Sequence, residues 1–138
     1  MDETKHRIVA TQRGVGSQVY KCENGTYTLR EPVATLQNLR GGPIVGIHGQ
    51  GPFWASFDGS RVNGSAPVSA PSPAGPSNIA WLKVTGTQVN PPAPGVFADV
   101  AFIQRVDTKG GAAPSTCTGT STLSVGYSTN YVFWAPKK

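Results

Sequence analysis

The segment 46–54 (GIHGQGPFW) holds the most chemically suggestive residues of the chain. His48 is the sole histidine outside the N-terminal segment, and it stands six residues before Trp54 across a Gly/Pro loop. An imidazole can anchor a polar group or move a proton, and an indole offers a flat stacking wall. The pair is therefore read as a pocket, with His48 as the one catalytic candidate. A histidine bonded to loop backbone under an aromatic lid is the plain alternative. Gln104 is a second candidate: alternation along residues 96–106 puts it on the face of Val100 and Phe102, pointing inward. A buried amide needs partners, either loop backbone or a ligand. Tyr20, Tyr127 and Tyr131 could line the same cavity, although aromatic stripes more often fill cores. The ligand-binding set is thus His48, Trp54, Gln104, Tyr20 and Tyr131, with His48 and Trp54 expected to share a concavity near Gln104.

Other chemistries find little support. Gly14-Val15-Gly16 resembles the start of a dinucleotide fingerprint, but Val19 takes the place of its third glycine and a strand pattern follows. No G-x-S-x-G elbow is present, and no spacing singles out a carboxylate pair among Glu23, Glu31, Asp58, Asp99 and Asp107. Asp58 before Gly59 reads as a turn-former. Two histidines and two cysteines without a CxxC argue against zinc, so neither metal nor cofactor is expected. Cys22 and Cys117 are either one disulfide or two isolated buried thiols. Asn24-Gly25-Thr26 and Asn63-Gly64-Ser65 fit the glycosylation sequon, a short pattern frequent by chance.

Charge excludes more than it suggests. Lys5, Arg7, Arg13, Lys137 and Lys138 against Asp2 and Glu3 supply +3 of the net +5. The remaining bases are scattered singly rather than clustered beside aromatics, so no nucleic-acid partner is expected. No apolar run approaches the ~20 residues of a membrane span.

The elements that must position these residues are strands. The 138 residues suit one domain. Val 14 and Thr 13 against Leu 5 and Glu 3 favour strands over helices, and Gly 17 with Pro 12 punctuates them. Residues 1–15 read as a polar tail and 16–135 as a single domain. Along 17–22, Gln18, Tyr20 and Cys22 share one face. Asn24-Gly25 is a hairpin turn, and residues 26–30 return from it. Pro32 is expected to break that strand before 33–39 forms another. Strands are also expected at 44–48, 53–57, 61–62, 79–84 and 123–134, with one long central strand over 96–106. Residues 64–78 read as a loop or edge strand and 90–95 as an irregular connection. Short strands with turns every 8–12 residues indicate an all-β fold, an antiparallel β-barrel or β-sandwich with long Gly/Pro-rich loops and no long helix.

Several ordered blocks resemble the family called domain of unknown function 3455. They are residues 18–22, the 46–54 stretch with His48 and Gly51-Pro52, Asp58-Gly59-Ser60, 79–82, 104–111, Cys117 and 127–134. The resemblance spans about residues 16–134. Ala80 stands where that family has proline, Asn130 where it has an acidic residue, and Trp134 where it has tyrosine. The resemblance implies a secreted, disulfide-linked β domain, with Cys22 paired to Cys117 and a leader removed, and carries no defined activity. The malate dehydrogenase label borne by some members does not suit a chain lacking a nucleotide-binding pattern.

Three functions follow as expectations. The first is a secreted β domain that binds a small molecule or glycan without turnover. The second is a cofactor-free enzyme of cyclase, isomerase or lyase type acting in a barrel cavity. The third is a structural or surface-interaction protein. A closed apolar cavity reached by His48, Gln104 or a tyrosine favours the enzyme, a shallow groove at Trp54 favours the binder, and a filled core favours the third.

Overall fold

The alternation of inward and outward side chains along each strand closes one sheet on itself. In the computed structural model, which describes residues 3–38, 42–88 and 93–137, eight antiparallel strands form a closed barrel in sequence order. They are β1 (His6–Glu23), β2 (Thr26–Asn38), β3 (Ile44–Gly49), β4 (Phe53–Ser56), β5 (Arg61–Ala70), β6 (Trp81–Gln88), β7 (Phe102–Gly110) and β8 (Thr122–Pro136). β8 pairs with β1 and completes the ring. The expectation of barrel or sandwich thus resolves to a barrel. No helix occurs among the described residues.

Several boundaries differ from those expected. β1 starts at His6, inside the stretch read as a tail, because its first residues pair with the end of β8. Pro32 does not break β2. Pairing with β3 begins only at Ala34, so Pro32 has a free flank, where a missing N–H costs no ladder bond. Residues 64–70 continue β5, and a bulge between Ser65 and Val68 absorbs Pro67. The expectation for Leu39 falls outside the described residues.

The largest correction concerns residues 96–106. Only the part from Phe102 onward is strand; residues 95–100 form a tight turn with bonds from Ala98 N to Gly95 O and Val100 N to Phe97 O. Phe97 and Val100 are buried from this turn, and Phe97 meets the Phe133 ring at 4.5 Å. The turn plugs one end of the barrel. Asp58 holds it there: its carboxylate accepts from Val96 N, Ser60 N and Ser60 Oγ, while Ser60 Oγ accepts from Phe97 N. The turn-forming role expected of Asp58 extends to fastening this plug. Leu36, Trp54, Val62, Val84, Ile103, Tyr131 and Phe133 pack above it as the core.

Two glycines make room for the rings. A Cβ at Gly14 would lie 2.5 Å from Tyr131, and one at Gly64 would lie 2.9 Å from Trp54. Gly14 therefore serves a backbone–ring contact rather than a phosphate. At the opposite end, a Cys22–Cys117 disulfide with Cα atoms 6.0 Å apart ties β1 to the loop before β8.

Candidate functional site

The β3–β4 hairpin creates the site. Its register pairs His48 with Trp54 and Gly49 with Phe53, leaving residues 50–52 as the loop. Directly opposed residues on neighbouring strands share a face, so both rings project into the barrel. They stack at 4.5 Å with planes 18° apart, and Tyr131 from β8 closes on both at 5.1 and 5.7 Å.

The same hairpin is shorter than its neighbours. β3 pairs with β2 only along residues 34–37, and β4 pairs with β5 only along 61–63. Above it, the far halves of β2 and β5 have no partner on that side, which leaves a notch in the wall. Arg30, Pro32, Pro52 and Pro67 frame this notch, and behind it lies a cavity of about 270 Å³. His48, Trp54, Val84, Ile103, Arg105 and Tyr131 form its inner surface. An eight-stranded barrel has room for packed side chains or for one small ligand. By proportion to a benzene-sized void of ~150 Å³, this cavity admits roughly ten non-hydrogen atoms.

The polar groups in the cavity are unusual. His48 is 5% exposed, and its Nδ1 lies 2.8 Å from Phe53 O. A carbonyl only accepts, so Nδ1 carries the proton and Nε2 presents a lone pair. Burial, opposed by that bond and reinforced by the Arg105 charge, lowers the His48 pKa from 6.5 to about 4. The imidazole is neutral at pH 7. Trp54 is 2% exposed with no acceptor for its Nε1–H, and Gln18 is 3% exposed with no donor for its Oε1. Both line the cavity. Buried polar groups are overwhelmingly satisfied in folded proteins; Gln12 Oε1 and Gln88 Oε1 are unpartnered too, but only Trp54 and Gln18 of these residues line the cavity.

Arg105 donates from Nε and Nη2 to Ala80 O at 3.0 and 2.8 Å. That acceptor is main chain, so alanine at position 80 supplies it as proline would. Burial lowers the Arg105 pKa against the favourable field of Tyr131, Tyr127 and Tyr20. A guanidinium nonetheless stays charged at neutral pH. Burial raises the pKa of all three tyrosines, Tyr131 well above 10.0, so they remain phenols. Tyr131 and Tyr127 hydroxyls lie 3.1 Å apart.

The structure brings together His48, Trp54 and Tyr131. Tyr20 stands apart from the cavity surface, with its hydroxyl on Gly111 O, and its ring meets Tyr27. Gln104 is the correction: it points outward and accepts from Trp134 Nε1 at 2.7 Å. The plug turn interrupts the alternation that was extrapolated from residue 96, and a shift of one residue swaps every face beyond it. Ile103 and Arg105 therefore face inward. Sequence reasoning passed over Arg105, Gln18 and Arg30. Gln18 was legible, since it shares the face of Tyr20 and Cys22. Arg30 was not, because it is the extra residue of a bulge between β1 and β2.

A family model described as Protein of unknown function (DUF3455) matches residues 3–135. The chain belongs to this family. The DUF3455 match takes in all eight strands except the last residue of β8, and therefore every residue of the cavity. No curated protein and no solved structure matches. No helix among the described residues is long and apolar enough to cross a membrane, and no group of three or more potential metal ligands occurs among them.

Proposed function

We propose that this DUF3455 member binds a small, largely apolar molecule inside the barrel, through the notch above the β3–β4 hairpin. The observation that carries the reading is the cavity behind the notch, on whose surface stand two residues with an unpartnered buried polar group, Trp54 through Nε1 and Gln18 through Oε1. A ligand acceptor would satisfy the indole, and the Gln18 amide can meet either a donor through its oxygen or an acceptor through its NH2 after a flip. The cavity's size favours a small molecule over a glycan chain. The disulfide supports an extracellular setting for this activity, because such bonds persist in oxidising compartments.

Enclosure by His48 and Tyr131 is the feature expected of a cofactor-free enzyme, and it keeps turnover as the second reading. The titration of these groups weighs against it. A base with pKa about 4 and a phenol well above 10.0 both lie far from the range where proton transfer at neutral pH is efficient. His48 is suited to accept a hydrogen bond rather than a proton. The presence of a cavity weighs against a purely structural role.

The test is a titration with small aromatic alcohols, amides and acids, followed by the indole N–H resonances of Trp54, Trp81 and Trp134. Binding in the cavity should move the Trp54 signal and leave the other two in place. Shifts confined to Trp81 or Trp134, or none at millimolar fragment, would defeat the proposal.

A further inference from the structure

Arg105 is mostly buried, lines the cavity and spends two donors on one main-chain carbonyl. Among the described residues no acidic side chain pairs with it; the groups that share its field are three tyrosine phenols. A buried cation without a counter-ion is expensive to maintain. Arg30 stands at the notch, and the cavity surface includes no Asp or Glu. Both charges that meet an entering molecule are therefore positive. The same inner surface carries Val84 and Ile103, next to Arg105 on the sheet, and the stacked rings of His48 and Trp54.

We infer that the ligand is a small carboxylate, its anionic head paired with Arg105 and its flat apolar body beside the His48–Trp54 stack. This rests on the binding reading above and adds the chemical class. Arg30 at the mouth draws the anion in, and Arg105 holds it inside. A planar guanidinium suits a carboxylate, and charge-assisted bonds of this kind are about twice as strong as neutral ones. Gln18 can turn its amide to donate to the same head group, since the two ends of the amide exchange places by a simple flip.

The experiment compares benzoate with benzamide, which has the same shape and no charge, on the wild-type protein by calorimetry and by the Trp54 resonance. Benzoate should bind at least tenfold more tightly, and added salt should weaken benzoate while leaving benzamide unchanged. Arg105→Gln should erase the difference. Equal binding of the two probes would overturn the inference and leave the cavity proposal standing. Failure of both probes, and of neutral aromatics, to move Trp54 would overturn both. A preference for benzoate that survives in Arg105→Gln would overturn the assignment to Arg105. The wild-type comparison decides the ligand class even if that variant does not fold.

Discussion

His48 offers a way to watch the site without its ligand. The unfolded chain takes up a proton at this residue near pH 6.5, whereas the folded barrel does so only near about 4. Between those values the unfolded state binds more protons, so stability falls as pH falls. The loss across the window is at most about 3 kcal/mol. Chemical denaturation at a series of pH values should show this slope, and His48→Gln should flatten it. Trp54→Phe makes a second, sharper distinction. It removes a donor that bonds nothing within the protein, so the binding reading expects weakened ligand affinity, with a stability loss of roughly 1–3 kcal/mol from the smaller ring alone. A loss of stability with unchanged affinity would mean the indole N–H has no ligand role. At this scale the sequence was informative for His48 and Trp54, because their spacing across a three-residue loop dictates that they face each other. It misled for Gln104, because a partner thirty residues away, Trp134, takes its amide on the outer surface.

Single elements tell a similar story with different physics. Strand alternation along 18–22 was legible, as were the hairpin at Asn24-Gly25 and the tie of Asp58 to a turn. The plug was not. Strand alternation over 96–103 puts Phe97 and Val100 on opposite, mainly apolar faces, as in a central strand, and only the carboxylate and hydroxyl from positions 58 and 60 reveal that both belong to a turn. Slight burial works against the Asp58 charge, but bonds from Ser60, Val96 and Ser56 outweigh it and bring its pKa from 3.8 to about 2. Its contribution is thus complete above the unfolded value and is lost as pH falls from about 4 towards 2. Asp58→Asn should remove that acid-limb dependence and cost no more than about 1 kcal/mol, since the carboxylate is exposed and screened. The disulfide matters more. It spans 95 residues of sequence, for which the chain-entropy description gives about 4–5 kcal/mol as an upper bound. Replacing both cysteines with alanine should lower the melting temperature by many degrees without changing cavity affinity, as seen by thermal unfolding and the Trp54 titration together.

For the whole molecule, composition was enough to indicate an all-β fold, and pairing decided that it closes. Closure joins β1 to β8, the first and last strands, a partnership no local pattern announces. Filling the space within should separate fold from function: Leu82→Phe adds bulk at the cavity surface, so affinity should drop at least tenfold while the unfolding midpoint holds or rises. A lower midpoint with intact affinity would place the ligand elsewhere. The notch has a further consequence, beyond giving access. A ring of strands has no free margins, yet this one exposes two, along the upper half of β2 and the upper half of β5. Free margins invite a strand from another molecule. Each carries a proline, Pro32 on one side and Pro67 on the other, and each has a bulge close by. Pro32 and Pro67, two of the three prolines at the entrance, therefore also keep neighbouring molecules from zipping onto it. Replacing both with valine should make the protein self-associate more strongly than the wild type as its concentration rises, measured by light scattering, and the access route would then be blocked by the protein's own copies.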